Sequence, residues 1–146
     1  DGSVLAKISL DTKYFNIDFK KRKDFFIMKI TIANLINSIA PVLSKMMSKE
    51  LSPVTSFKLV KIVKAVNAEI EIFNGERIKL LEKYGTKSED KSNYIIPDEN
   101  KDAFNKGISE LLALEVDIAV EKVNLANEDI KISPADMMKI EEFVEM

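Results

Sequence analysis

The sequence predicts an α+β protein in which a long antiparallel helical hairpin is accompanied by two shorter helices and a small antiparallel sheet. Three observations lead to this fold class. Apolar residues recur at spacings of three and four over residues 54–84, which is typical of one long helix. Residues 33–47 show the same spacing. Stretches in which apolar and polar residues alternate, typical of strands, lie nearer the two ends of the chain.

The composition is that of an ordinary folded, soluble chain. Of the 146 residues, 46% are hydrophobic and 32% are charged, and 22 basic against 24 acidic residues leave a net charge of −2. Cysteine and histidine are absent, which excludes thiolate nucleophiles, histidine bases, disulfides and the usual zinc sites. No apolar run approaches the ~20 residues of a membrane span. We therefore expect a cytoplasmic protein that needs no cofactor and does not contact a membrane.

The first part of the chain predicts a β-hairpin and a third strand. Apolar and polar residues alternate over residues 4–19, and residues 25–32 suit a strand, although 27–32 could equally begin the next helix. Met28 opens a segment that reads like the start of a protein, and the codons for residues 21–24 could form a ribosome-binding sequence. We therefore divide the chain into two parts. Residues 1–27 form a hairpin-like extension, which would be a non-native leader if Met28 is the start of the protein. Residues 28–146 form a single α+β domain.

Residues 33–47 are predicted to form a helix that folds back on the long one. Pro41 lies inside this pattern, so we expect it to kink the helix or to fix where the helix starts. The linker of residues 48–53 is short, which favours an antiparallel arrangement with residues 54–84. Met46 and Met47 could form an adaptable binding surface or fill gaps in the core.

The long helix of residues 54–84 is the element around which we expect the other segments to pack. Thr55 or Ser56 is predicted to cap its start, and Gly85 to end it in a left-handed conformation. Arg77 interrupts the apolar stripe; it either extends its charged end into water or pairs with a carboxylate across an interface. The stripe consists of Leu59, Val63, Val66, Ile70, Phe73, Arg77, Leu80 and Tyr84, widened by Val60, Ile62 and Ile72.

The C-terminal half predicts an exposed polar loop, two helices and short strands. Residues 85–92 contain no apolar side chain, and residues 93–96 suit a strand that would pair with the strand of residues 115–120. Asp98 is expected to cap a helix with its apolar face at residues 104, 108, 111 and 112, where Gly107 either weakens the helix or permits close packing. Ser133, Pro134 and Asp136 predict the start of a last helix that buries residues 137, 140, 143 and 144.

Only carboxylates, lysines and hydroxyls remain as candidates for catalysis. One face of a strand carries Glu115, Asp117 and Glu121, which could hold Mg²⁺ or Ca²⁺. A strand that buries its other face needs a polar face toward solvent, so solvation alone also explains these residues. Residues 141, 142 and 145 form a second acidic group, which weakly matches helical nucleotide pyrophosphatases. With four glycines in the chain, a backbone phosphate cradle is not expected. We therefore assign no catalytic and no metal-binding residue.

Several short stretches in a fixed order resemble one family. They are MKI at 28–30, LSPV at 51–54, LLEKYG at 80–85, YIIP at 94–97, LLALEV at 111–116 and ISPADMM at 132–138. Over residues 28–146 the chain thereby resembles small bacteriophage and prophage proteins of low-GC Gram-positive bacteria. The resemblance implies a viral origin and a bacterial host cell, and it supplies no activity and no site residue.

The predicted function is a non-catalytic, phage-encoded interaction or assembly protein that acts through an amphipathic helical surface. Its partner would be another protein or a second copy in a homodimer. One alternative is a Mg-dependent nucleotide hydrolase that uses clustered carboxylates. The other, weaker alternative is a nucleic-acid-binding regulator that uses Lys20–Lys23 and the lysines of the long helix. The predicted interaction residues are Leu59, Val63, Val66, Ile70, Phe73, Arg77, Met46 and Met47.

Overall fold

A computed structural model describes residues 25–90 and 92–145, which combine helices with small sheets. The predicted hairpin of residues 4–19 and the Lys20–Lys23 cluster lie outside the described residues. The helices are α1 (Ile32–Asn34), α2 (Ala40–Met47), α3 (Pro53–Tyr84), α4 (Asp98–Leu112) and α5 (Pro134–Ile140). The strands are β1 (Phe25–Thr31), β2 (Thr86–Lys87), β3 (Tyr94–Ile95), β4 (Glu115–Glu121), β5 (Val123–Asn124) and β6 (Val144–Glu145). The mixed class and the long helix at the predicted place are confirmed.

The main sheet is the antiparallel pair of β1 and β4. Met28 lies opposite Ile118, and Ile30 lies opposite Val116. Because successive side chains of a strand point to opposite faces, one face of this pair carries apolar residues at alternate positions. Met28, Ile30 and Ile118 are buried there against the helices. The strand predicted within residues 25–32 is therefore confirmed, and the helix begins only at Ile32.

The predicted pairing of residues 94–96 with the C-terminal strand region is wrong. β3 pairs with β2, and β4 pairs with β1. β2 and β3 are joined by a short turn, and closing a short loop costs less chain entropy than bringing distant segments together. The carboxylate of Asp90 supports this turn by accepting hydrogen bonds from the hydroxyls of Ser88 and Ser92. Part of the loop predicted for residues 85–92 is therefore ordered as a small hairpin.

Pro41 widens the helical turn that precedes it but does not end the helix. Residues 35–39 form a π-helical segment between α1 and α2, and the N–H of Ala40 donates to the carbonyl of Leu35, five residues earlier. Pro41 has no N–H to offer to the carbonyl of residue 37, and its ring needs space beside that turn. The wider π turn provides the space. Leu35 and Ile39 nevertheless remain buried in the core.

The termini of α3 differ from the predicted ones in their details. The N-cap position is Ser52 and Pro53 is the first helical residue, so the prediction of Thr55 or Ser56 as the cap is wrong. Gly85 ends the helix with φ −107° and ψ 168°, which is extended rather than left-handed backbone. Its lack of a side chain matters for another reason: a Cβ at this position would lie 2.7 Å from the carbonyl oxygen of Leu81.

Helix α4 packs antiparallel to the C-terminal half of α3. Near the start of α4, the side-chain amide of Asn100 donates to the carbonyl of Tyr84 at 3.0 Å. Further along, a Cβ at Gly107 would lie 3.0 Å from Leu80, so this glycine permits the predicted close packing. The helix begins one residue earlier than a cap at Asp98 would place it, because Asp98 is its first residue and Pro97 is the N-cap.

The C-terminal segment closes one end of the core. The hydroxyl of Ser133 accepts a hydrogen bond from the N–H of Asp136, as predicted for the start of α5. The helix is shorter than predicted, because Phe143 lies in a 3₁₀ turn (Glu141–Phe143) and Val144 lies in β6. β6 runs parallel to β5, with Val144 beside Val123. Ile140, Phe143 and Val123 are buried among the helices.

Candidate interaction surface

The carboxylates that the fold brings into defined contacts have structural roles. Glu128 accepts hydrogen bonds from the backbone N–H and the hydroxyl of Ser52, at 3.1 and 2.6 Å, and thereby fixes the N-terminus of α3. These contacts, with a further one from Thr55, lower the pKa of Glu128 because they favour its charged form. Hydrogen bonds from Ser88 and Ser92 lower the pKa of Asp90 to about 2. Within residues 25–90 and 92–145, no group of three acidic side chains is close enough to hold a metal ion.

The structure separates the predicted interaction residues into two groups. Leu59, Val66, Phe73 and Met46 are buried in the chain's own core, so in this fold their side chains are covered and cannot meet a partner. Val63, Ile70 and Arg77 are half-buried, and Met47 is exposed. Val63 and Met47 come together with Ala40, Leu43 and Asn67 in a small cleft between α2 and α3. The physical reason for the burial is that the predicted stripe is the side of α3 that carries the core.

A second apolar stripe lies on the opposite side of α3, where it faces solvent. Val54, Phe57 and Ile72 have 67%, 63% and 63% of their surface exposed. At 100° per residue these three positions lie within about 60° of one another and about 80° or more from the buried stripe. We define the outer face of α3 as Val54, Phe57, Lys61, Lys64, Ala68, Glu71, Ile72, Gly75, Glu76, Ile78, Lys79, Glu82 and Lys83.

Charge is unevenly distributed along the outer face. Its N-terminal half carries only lysines, Lys61 and Lys64. Its C-terminal half carries charges of both signs, and Lys79 pairs there with Glu76 at 3.1 Å. The ammonium group of Lys61 lies 4.7 Å from the centre of the Phe57 ring, so it covers part of that apolar side chain. Ala68, between the two charged halves, and Gly75, within the C-terminal half, leave the backbone accessible, and a Cβ at Gly75 would meet nothing within 4 Å. The middle of this face is therefore flat enough for another chain to approach closely.

A groove of about 390 Å³ runs beside the C-terminal half of the outer face, between α3 and α4. Leu80, Leu111 and Leu114 supply its apolar surface, and Glu76 and Lys83 are among the charged residues around it. Leu114 is largely exposed. The groove adds apolar surface next to the outer face and no group with unusual reactivity.

The lysines of α3 that we considered for nucleic-acid binding are partly engaged within the chain. Lys58 lies 3.6 Å from the carboxylate of Glu121, and Lys61 covers Phe57. Three other lysines, Lys45, Lys49 and Lys131, line a cleft at the end of α2, but Asp136 also lines it and binds Lys45 at 3.1 Å. This pairing lowers the pKa of Asp136. None of these places concentrates free positive charge within the described residues.

Sequence reasoning missed the outer face because it assigned Ile72 to the buried stripe and gave Phe57 no role. A signal was present: Phe57 lies on the side of the helix away from Leu59 and Val66, and Val54 and Ile72 flank it. A helix with apolar residues on two sides indicates a second contact, since solvent alone does not favour exposed large side chains.

No helix of the described residues combines the length and the apolar character that crossing a membrane would need. Comparisons of the chain with protein families, with curated proteins and with solved structures find no match.

Proposed function

We propose that this protein is a non-catalytic interaction or assembly module that binds another protein chain through the outer face of α3. The proposal includes a phage or prophage origin and action in the cytoplasm of a bacterial host, for which the order of short motifs across residues 28–146 is the support. It assigns no reaction to the chain. The described carboxylates stabilise turns and helix ends, and they do not converge on a common point.

The observation that carries the proposal is the exposure of Val54, Phe57 and Ile72 on one side of a single helix. Along α3 these residues span about 27 Å at ~1.5 Å per residue. Burying each of them against a partner would contribute roughly 1.5–3 kcal/mol of gross hydrophobic free energy. A rigid helix also loses little conformational entropy when a partner binds, because its backbone is already ordered.

The proposal treats α2 and α3 as an antiparallel helical hairpin with the outer face at one side. The connection between the two helices is only five residues long, and both helices line the cleft that contains Met47 and Val63. Because Met47 is exposed at the mouth of this cleft, a partner on the outer face can also contact it. Methionine suits such a position since its flexible side chain adapts to different shapes.

The test compares two variants that lose the same amount of exposed apolar surface. The face variant carries Phe57→Gln and Ile72→Gln, and the control variant carries Ile95→Thr and Met138→Gln, which are exposed elsewhere. Each chain is tagged and expressed at its natural level, and the proteins retained with it are quantified by mass spectrometry. We expect the wild-type chain and the control variant to retain the same partner, and the face variant to lose it.

Far-ultraviolet circular dichroism and urea unfolding establish that both variants fold. The proposal would be wrong if the face variant retained every protein that the wild-type chain retains and also sedimented with the same mass. Loss of the partner from the control variant alone would place the interaction surface elsewhere on the chain.

A further inference from the structure

We propose that a polar cleft at the end of β1 binds a small zwitterionic molecule of the size of a dipeptide, with its carboxylate at Lys29 and its ammonium group at Glu141 and Glu142. The cleft lies outside the outer face of α3, so the inference does not depend on the proposed function. It follows from the position of the cleft, from the charges on its two walls and from the lack of partners for these charges in the described part of the chain.

The cleft lies between two segments that are distant in sequence. Its first wall is the end of β1 with the helical segment that follows, and its second wall is the end of α5 with the 3₁₀ turn of Glu141–Phe143. Its volume of about 420 Å³ lies within the range of small-molecule sites. A sphere of this volume would be about 9 Å across. An extended dipeptide is about 7 Å long at ~3.3 Å per residue, so the cleft has room for one.

The first wall follows one edge of β1. Three consecutive residues, Lys29, Ile30 and Thr31, line the cleft, whereas the residues of β4 that pair with them do not. Since the side chains of consecutive residues point to opposite faces of a sheet, a cleft that all three residues line lies at the strand edge away from β4. Alternate residues of an edge strand direct their N–H and C=O groups outward. A peptide-like ligand can therefore also use backbone hydrogen bonds at this wall.

The two walls carry different charges. Among the described residues that line the cleft, the first wall contributes one charged group, the ammonium group of Lys29. The second wall contributes Lys139, Glu141 and Glu142, and one positive against two negative groups leaves it with a net charge of −1. An anionic group of a ligand is therefore favoured at the first wall and a cationic group at the second. This arrangement fits a zwitterion better than a ligand with charge of one sign.

Charges close to the cleft do not reverse this order. Asp117 lies opposite Lys29 in the strand pair, and Glu115 lies two residues earlier along β4. Neither carboxylate lines the cleft, and neither forms an ion pair with Lys29. Near the second wall, Asp136 is bound by Lys45 at 3.1 Å. The two acidic residues of β4 make the surroundings of the first wall less positive, but they place no carboxylate in it.

The charged groups of the cleft have no partners of their own within residues 25–90 and 92–145. Lys29, Lys139, Glu141 and Glu142 form no ion pair and no side-chain hydrogen bond there, although both signs of charge line the same cleft. In the lysine-lined cleft at the end of α2, by contrast, a carboxylate of the chain itself binds one of the lysines. Groups that stay apart can each bind an oppositely charged group of a ligand without first losing a contact within the chain.

Neutral polar groups complete the first wall. The hydroxyl of Thr31 accepts a hydrogen bond from the backbone N–H of Asn34 at 3.2 Å, and the side chains of Asn34 and Ser38 line the cleft four residues apart. Ser38 belongs to the π-helical segment, and segments of this kind occur frequently at functional sites. A side-chain amide and a hydroxyl can both donate hydrogen bonds to a carboxylate held beside Lys29.

The test uses the dipeptide dialanine and two blocked forms of it. N-acetyl-dialanine lacks the ammonium group, and dialanine amide lacks the carboxylate. Each compound is titrated into isotope-labelled protein, and the chemical shifts of the backbone amides are followed by NMR. We expect dialanine to shift the amides of residues 29–31, 34–39 and 138–143 in a saturable manner. Each blocked form should bind about three- to tenfold more weakly, because it loses one charged contact at an exposed site.

Two variants assign each end of the ligand to its wall. Lys29→Gln removes the cation of the first wall, so this variant should bind dialanine and dialanine amide equally and still discriminate against N-acetyl-dialanine. The variant with Glu141→Gln and Glu142→Gln removes the carboxylates of the second wall. It should bind dialanine and N-acetyl-dialanine equally and still discriminate against the amide. A change in the fold would not produce this crossed pattern, because it would weaken the binding of all three compounds alike.

Two further variants serve as controls. The variant with Glu99→Gln and Lys106→Gln removes one charge of each sign at exposed positions of α4, away from the cleft. The variant with Phe57→Gln and Ile72→Gln changes the outer face. Both should bind dialanine like the wild-type chain, and thermal unfolding establishes that every variant folds.

Three results would overturn the proposal: no saturable shifts with dialanine, shifts centred on residues away from the cleft, and equal affinities of the wild-type chain for all three compounds. A reversed pattern, in which Lys29→Gln abolishes the discrimination against N-acetyl-dialanine, would overturn the proposed orientation of the ligand and with it the assignment of the walls. None of these results bears on the outer face of α3, which the comparison of retained partners tests separately.

Discussion

Alanine substitutions at Gly75 and Gly85 should change the stability of the protein in opposite directions. Gly75 lies in the exposed interior of α3, and a Cβ there would meet no other atom within 4 Å. Glycine in a helix interior is less favourable than alanine by about 0.8–1.0 kcal/mol. With no contact to oppose this gain, Gly75→Ala should raise the free energy of unfolding by about 1 kcal/mol.

Gly85 presents the reverse case. Its φ of −107° is accessible to any residue, so backbone strain does not explain the glycine. The obstacle is the space around it. A Cβ would lie 2.7 Å from the carbonyl oxygen of Leu81 and 3.0 Å from Cδ1 of Ile96. The oxygen belongs to the backbone and accepts the N–H of Gly85 at 2.8 Å, so it cannot move away without weakening that hydrogen bond.

Overpacking of this kind costs roughly 1–3 kcal/mol. The reduced freedom of the unfolded chain returns about 0.4–1 kcal/mol. Gly85→Ala should therefore lower the free energy of unfolding by about 1 kcal/mol or more, and Gly107→Ala should fall between the two. At Gly107 the helix gain of about 1 kcal/mol is opposed by contacts of 3.0 and 3.1 Å with the two terminal carbons of Leu80, a flexible side chain that can shift.

Urea unfolding followed by circular dichroism measures all three differences. Every variant is measured at one dilute protein concentration, so that self-association contributes little. If Gly85→Ala were as stable as Gly75→Ala, the close approach at the C-terminus of α3 would not be the reason for the glycine.

Three further predictions concern other parts of the fold. Ile140→Ala should lower the free energy of unfolding by about 2–5 kcal/mol, because this side chain is fully buried. Met138, two residues earlier, is 72% exposed, so Met138→Ala should change the free energy of unfolding by less than ~0.5 kcal/mol. Equal effects of the two substitutions in urea unfolding would contradict the position of α5. The native pKa of Glu128 lies below its unfolded value of 4.5, so its contribution to stability is present above pH 4.5 and is lost as the pH falls through the native pKa. Glu128→Gln should therefore be less stable than the wild-type chain at neutral pH, and thermal unfolding should show that this difference becomes smaller in acid. A stability difference that stayed constant with pH would argue against the contact with Ser52. Asp90→Asn should accelerate amide hydrogen exchange in the turn between β2 and β3, since hydrogen bonds from Ser88 and Ser92 hold this carboxylate. The exchange rates in α3 should not change. Uniform acceleration of exchange would mean that the turn contributes to global stability.

The elements that the sequence predicted well are those in which local signals agree. Helix α3 extends over Pro53–Tyr84, within one residue of the predicted range, because its apolar spacing persists for many turns. The start of α5 was predicted from Ser133 and Pro134, whose capping geometry depends only on neighbouring residues. Strand β4 was predicted from alternation alone.

The elements that the sequence predicted poorly depend on distant parts of the chain. The pairing of β1 with β4 joins segments about ninety residues apart, and alternation identifies a strand without identifying its partner. The π-helical segment arises from the fit between Pro41 and its surroundings, which a periodic pattern does not contain. The outer face was missed for a related reason. Spacing shows that a helix has an apolar side, but burial depends on which side the rest of the chain covers.

The length of α3 explains why one side of it remains uncovered. Its 32 residues extend for about 48 Å at ~1.5 Å per residue. A compact domain of this size has a radius of gyration of about 15 Å, which corresponds to a sphere about 38 Å across. The helix is therefore longer than the domain that it supports, and its last buried residue is Phe73, eleven residues before its end.

Within the described residues, α4 covers one side of that C-terminal extension through Leu80 and Gly107, and it does not cover Ile72 or Ile78. In the proposed function, a partner chain bound to the outer face covers this extension. Shortening α3 by deleting residues 75–81, two helical turns, would remove Glu76 and Ile78 and would bring the helix close to the diameter of the domain. We expect the shortened chain to lose the partner that the wild-type chain retains, while Leu59 and Val66 stay buried. A shortened chain that folds and still retains that partner would show that the length of α3 has another cause.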